Sequence, residues 1–268
     1  LLGFGTGAYG ILVGAGGGFI LGPILLLFFD LEPEFMAGTV LASVAINSIS
    51  GSFAYRSMKL IDYRSGFLFA AAAIPGSVLG AFGVGEVAPS TFQILFGVML
   101  VLLAVQIAFR PKIPDGNSTE KPSHMIAATV RSRHIVTKDG EEYRYEFNEM
   151  LATSFNVVLG FISSFFGTGG GFLRTPVLIA SFGFPVRVAA ATSVFALSMY
   201  ATAGATTHAV LGHVEWWPTF GLTGIGLVLG GQFGAKISGR VSGPWILRLL
   251  LIVVLILGVR LIWQGVRG

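Results

Sequence analysis

Long apolar stretches alternate with short polar ones along this chain, and most of the apolar stretches are of membrane-spanning length. Residues 35–55, 66–84, 92–109, 188–210, 220–236 and 245–263 each predict an apolar helix, the second of them interrupted at Pro75-Gly76. Two other stretches do not fit a single helix. The run 150–182 would be roughly 50 Å long as one helix, against a hydrocarbon core of about 30 Å. In its middle stands Gly167-Thr168-Gly169-Gly170-Gly171-Phe172-Leu173-Arg174-Thr175-Pro176. Clustered glycine and a following proline both oppose a continuous helix, so the run predicts two half-helices joined by bare backbone. Irregular backbone at membrane depth is tolerated only where protein or a water-filled cavity satisfies it, which makes this stretch the leading site candidate.

The same stretch occurs near the start, as Gly14-Ala15-Gly16-Gly17-Gly18-Phe19-Ile20-Leu21-Gly22-Pro23. At one constant spacing Leu25 matches Leu178, Phe29 matches Phe182, Thr39 matches Thr192, Gly51 matches Gly204 and Asp62 matches Glu215. After a small gap Gly76 and Gly80 match Gly226 and Gly230. Repetition around interrupted apolar segments predicts a duplicated transporter unit: an all-α polytopic membrane protein of two homologous four-segment repeats. The repeats take residues 1–109 and 149–268. Between them, residues 110–148 hold many of the charges and are too polar to span. Pro111, Pro114, Asp115 to Ser118 and Pro122 read as a loop. His134 to Thr137 and Tyr143 to Phe147, around Asp139-Gly140, read as a small soluble β-hairpin that connects the halves.

Charge bears on orientation. The loop after the second segment carries Arg56, Lys59 and Arg64, and the loop after the third carries no Lys or Arg. In the second half the bias reverses: the basic residues are Lys236 and Arg240, after the seventh segment. Cytoplasmic loops collect Lys and Arg, so the repeats are expected to be inverted. Inversion needs an odd number of crossings per half, which follows if each glycine-broken segment enters and returns on one side. The alternative is discontinuous first segments that cross fully, giving eight crossings and parallel repeats. Either topology leaves the charged insert in the cytoplasm if the Arg56 loop is there.

Composition narrows the chemistry. The chain is 53% hydrophobic and 11% charged, with a net charge of +4 that gives no reason to expect nucleic acid. With no cysteine, disulfides, thiolate metal sites and cysteine nucleophiles are excluded, and four histidines without paired spacing predict no metal site. Residues 1–11 read as the start of a membrane segment and lack the basic n-region of a cleavable signal. No GxxxxGK[ST], HExxH or GxSxG is present, so no enzyme is expected. Gly5 to Gly10 match GxGxxG, but no strand precedes them.

The paired GxGGGF…P segments in two four-segment halves resemble the TauE/SafE sulfite exporter family, also called the toluene sulfonate uptake permease family. Gly14 to Phe19 with Pro23 carry the resemblance, as do Ser163-Ser164 leading into Gly167 to Gly171 with Pro176. The resemblance covers nearly all of the chain except the insert. It implies secondary transport of sulfite, sulfonates or related sulfur-containing anions across a bacterial inner membrane, driven by an ion gradient of H+ or Na+. It calls for no cofactor and leaves the anion, the direction and the oligomeric state open. An anion channel is the alternative, since broken helices also build pores.

The residues agree with an anionic substrate. Half-helix N-termini at Gly16, Gly17 and Gly18, and at Thr168, Gly169, Gly170 and Gly171, offer free amides and partial positive charge. Arg174 is an ionisable residue inside a broken segment, either an anion ligand or a side chain that snorkels to the interface, and Leu21 fills its matching place. Thr39, Asn47, Thr192 and Ser193 offer hydroxyl or amide hydrogen bonds to the substrate, or else pin helices together.

Overall fold

The structure, a computed structural model, describes residues 1–29, 31–108, 129–237 and 243–267. Helices α1 (Leu2–Val13), α2 (Gly18–Phe28), α3 (Pro33–Ser57), α4 (Tyr63–Gly83) and α5 (Pro89–Ala108) form the first half. Strands β1 (Val130–Val136) and β2 (Glu142–Asn148) pair antiparallel, with Ile135 opposite Tyr143. Helices α6 (Glu149–Phe165), α7 (Gly171–Phe182), α8 (Val186–Val210), α9 (Gly221–Ile237) and α10 (Gly243–Arg267) follow. By length and apolar composition, α3, α4, α5 and α8 can each cross a bilayer. The architecture is that of a polytopic membrane protein with one small hairpin.

Glycines set how the helices meet. A β-carbon at Gly76 of α4 would lie 2.0 Å from the Val157 carbonyl of α6, and one at Gly80 would lie 2.4 Å from the Phe161 carbonyl. The two backbones therefore touch, and they run parallel. Gly230 and Gly234 of α9 meet the carbonyls of Phe4 and Ala8 on α1 in the same way. This contact also accounts for a departure from expectation. Helix α4 is continuous through Pro75-Gly76 rather than interrupted. Proline removes one backbone hydrogen bond, and close packing along α6 holds the helix together across it.

The centre is made by α3 and α8. Gly38, near the start of α3, closes on the His213 carbonyl beyond the end of α8, at 2.2 Å from an added β-carbon. At the opposite end, the Asp62 amide just past α3 donates to Thr192 Oγ1 near the start of α8 (3.1 Å). The two helices are therefore antiparallel. Helices α5 and α10 are antiparallel as well, with Gly97 against Gly258 and Gly265 against Ser90.

The hairpin is bound to the membrane helices by charge. Asp62 caps α4, accepting from the Ser65 amide at 3.1 Å, and its other oxygen accepts from Tyr145 Oη at 2.9 Å. Burial and then the Asp62 charge push the Tyr145 hydroxyl well above its ordinary range, so it remains a donor. Arg133 Nε lies 3.4 Å from Asp62, and Arg133 also donates to Glu149 at the start of α6. Arg187 of α8 donates to Glu141 at 2.7 Å, and the Lys138 amide donates to the Met58 carbonyl at 3.1 Å. The segment that separates the halves in sequence thus ties the α3–α4 connection to the starts of α6 and α8. The loop expected at 111–122, and the charged residues Asp30 and Arg240, lie outside the described residues.

Candidate functional site

Both glycine clusters interrupt helix, and the interruptions face each other. Helix α1 ends at Val13 and α2 starts at Gly18, while α6 ends at Phe165 and α7 starts at Gly171. The N-cap residues Gly17 and Gly170 have φ of +97° and +60°, left-handed values that favour glycine. Neither cap supplies a side chain; the Gly171 amide, expected to be free, instead turns back to the Gly169 carbonyl at 2.7 Å. A β-carbon at Gly18 would sit 2.9 Å from the carbonyls of Gly167 and Thr168, and one at Gly171 would sit 2.2 Å from that of Gly14. The aromatic residues after the glycines, Phe19 and Phe172, stack at 5.4 Å between centroids. Each helix N-terminus therefore abuts the backbone of the other break.

Helices α3 and α8 make three pairs of hydrogen bonds, each related by the spacing that separates Thr39 from Thr192. The Glu215 amide donates to Thr39 Oγ1 at 2.9 Å, as the Asp62 amide does to Thr192. The Asn47 amide group donates to the Gly16 carbonyl at 2.9 Å, and at the matching place Tyr200 Oη donates to the Gly169 carbonyl. Tyr55 Oη donates to the Ile11 carbonyl at 2.9 Å, and His208 Nε2 lies 3.0 Å from the Ser164 carbonyl. So α3 and α8 each reach a carbonyl inside a break and another in the helical turn before it.

At Arg174 the matching fails. Its side chain is buried, 1% exposed, so it does not snorkel. Nε donates to Asn156 Oδ1 of α6 at 2.6 Å, and Nη1 donates to the Ser193 carbonyl of α8 at 3.4 Å. The guanidinium lies over the Tyr200 ring, 4.6 Å from its centroid, a cation–π contact. Nη2 makes no hydrogen bond, and the hydroxyl of Ser193, whose carbonyl meets Nη1, is also buried without a partner. Among the described residues no carboxylate pairs with Arg174. A buried charge is costly unless it is paired. The cluster can therefore accept an oxyanion, with the fork of Arg174 and the Ser193 hydroxyl as donors.

The profile described as sulfite exporter TauE/SafE matches residues 1–261. The chain belongs to this family. Among its relatives is the probable membrane transporter protein YunE of Bacillus subtilis, 31% identical over 99% of this chain and 97% of that protein. The probable membrane transporter protein MJ0441 of Methanocaldococcus jannaschii is 29% identical over 94% of this chain and 89% of its own length. No solved structure matches.

The sequence-predicted residues of this TauE/SafE member fall into separate places. Gly16, Gly17, Gly18, Thr168, Gly169, Gly170 and Gly171 meet at the paired breaks, with Asn47 beside the first of them. Arg174 and Ser193 meet in the charged cluster, against Asn156 and Tyr200. Thr39 and Thr192 stand apart, at opposite ends of the central helix pair, where their hydroxyls accept loop amides from the other half. Asn156 and Tyr200 were not expected. Tyr200 carried a signal, since it matches Asn47 in the repeat. Asn156 matches Gly3 and carried none.

Proposed function

We propose that this TauE/SafE member is a secondary transporter of sulfite, sulfonates or similar small oxyanions across the bacterial inner membrane, with the anion bound at Arg174 beside the glycine breaks. The observation that carries the reading is a buried guanidinium with one free nitrogen and no carboxylate partner among the described residues. An anionic substrate provides the missing countercharge. The proposed site comprises Arg174, Tyr200, the hydroxyls of Thr168 and Ser193, and the amide of Gly170.

In this reading residues 1–109 and 149–268 are inverted repeats, and the insert lies in the cytoplasm. The antiparallel pairings of α3 with α8 and of α5 with α10 support inversion, because each joins matching helices. Each broken segment is read as re-entrant. Phe184, just after α7, packs on Tyr145 and Phe147, just before α6, with centroids 4.5 and 4.7 Å apart, so α6 and α7 begin and end at one face. Close contact between the two breaks suits a carrier that alternates access better than an open pore. Counterflow tests this. Purified protein in liposomes loaded with sulfite should accelerate entry of labelled sulfite; flux without exchange acceleration, at rates far above those of carriers, would contradict the reading.

A further inference from the structure

A histidine pair at the far end of α8 has no part in the anion site. His208 is fully buried, with Nε2 3.0 Å from the Ser164 carbonyl and Nδ1 3.2 Å from Nδ1 of His213. A carbonyl only accepts, so Nε2 of His208 carries a proton. In the neutral ring Nδ1 is then the acceptor, and His213 must present Nδ1–H. This arrangement has one open place. A proton added to His208 Nδ1, with the His213 proton moved to its Nε2, leaves a single N–H+···N bond across the same contact. A second added proton would set N–H against N–H and break it.

We infer that the His208–His213 pair is a one-proton site that couples anion movement to a pH gradient. The inference rests on the transport reading above. The other half has Tyr55 in the place of His208, donating to the Ile11 carbonyl, and a phenol does not titrate near neutrality. Only the half that carries Arg174 is titratable at this point. The Ser164 carbonyl also accepts from the Gly167 amide at 3.3 Å, so the pair holds the entry to the break whose far end carries Arg174. His213 is half-buried on the connection after α8 and gives a proton its route in. If the Arg56 loop is cytoplasmic, this is the external face.

The surroundings leave the pair as the proton acceptor. From α6 the facing group is Ser164, and from α3 it is Gly38, which packs on the His213 carbonyl. The acidic neighbour along the connection, Glu215, takes the Thr219 hydroxyl at 2.7 Å, and Glu34 on α3 is turned toward Gly85. Among the described residues the titratable side chain in contact with His208 is His213.

The direct test needs no substrate. Histidine 15N spectra of the full chain in lipid nanodiscs, assigned with His208→Gln and His213→Gln, report ring protonation between about pH 5 and 8. The expected result is one added proton on His208, with the His213 ring changing tautomer in the same transition, and that protonation lost in His213→Gln. Rings that titrate independently, or a His208 that never gains a proton, would overturn the site. In liposomes, uptake of methanesulfonate, whose charge does not vary with pH, should lose about tenfold of its stimulation by external acid in His208→Gln. Exchange of the same anion at equal pH should persist. Equal stimulation in the variant and the parent overturns the coupling role. Failure of the Arg174 reading shows differently, as unchanged sulfite binding in Arg174→Ala while the histidine pair still takes up its proton.

Discussion

Nε of Arg174 donates to Oδ1 of Asn156 across 2.6 Å, between two side chains that are each 1% exposed. A neutral amide rather than a carboxylate thus receives the buried guanidinium, and the positive charge stays available to a ligand. Replacing Asn156 by Asp keeps the shape and supplies an internal counter-ion. A charge-assisted contact of about 1.5–3 kcal/mol corresponds to roughly 10- to 150-fold in affinity. Asn156→Asp is expected to weaken sulfite binding by an amount in that range while the protein remains folded. Titration calorimetry beside a melting curve checks both, and unchanged affinity would remove the charge argument.

Tyr200→Phe separates the ring from the hydroxyl. The ring stays over Arg174, but the Gly169 carbonyl keeps one donor of two, the Gly171 amide at 2.7 Å. The Gly16 carbonyl loses its side-chain donor outright in Asn47→Leu, and leaving a buried acceptor unsatisfied costs about 1–3 kcal/mol. The melting temperature in detergent should fall in both variants, and further in Asn47→Leu. A melting temperature for either variant equal to the parent's would show that these bonds do not hold the breaks.

How the sequence relates to this centre differs from residue to residue. A glycine run followed by proline acts locally, so the ends of α1 and α6 were legible, as was the hairpin with its turn at Gly140. Arg174 stood out because an ionisable residue in an apolar run needs a reason. Its neighbours did not stand out, since the contact of Asn156 with Arg174 depends on how α6 packs against α7. Thr39 and Thr192 show the limit most plainly. A hydroxyl on a membrane helix looks the same in sequence whether it meets a substrate or a loop amide, and here both accept loop amides. At Pro75-Gly76 the local rule predicted a break, whereas the glycine serves the approach of α6.

The hairpin clamp makes a separate prediction. Asp62 caps α4, accepts from Tyr145 and faces Arg133, so Asp62→Ala removes a cap and leaves Arg133 with Glu149 alone. Loss of the cap is worth about 0.5–2 kcal/mol, and loss of the pairing adds to it. Asp62→Ala should melt lower than Tyr145→Phe, which removes one donor only. The reverse order would contradict the central place given to Asp62.

Topology can be read with single cysteines, because the chain has none of its own. Ser57 ends α3 and Leu211 follows α8. With α3 and α8 antiparallel, Ser57→Cys and Leu211→Cys should react with a membrane-impermeant thiol reagent from opposite sides. Reaction of both from one side would contradict inverted halves.

Anion binding at Arg174 is measured by sulfite titration of Arg174→Ala and Arg174→Lys. The lysine keeps the charge but loses the bidentate fork, so it should bind sulfite more weakly than the parent and more tightly than the alanine variant. Arg174→Ala should lose roughly 10- to 150-fold in affinity. An unchanged dissociation constant in Arg174→Ala, with the protein folded, would contradict the account and leave the backbone amides of the glycine breaks as the anion's ligands.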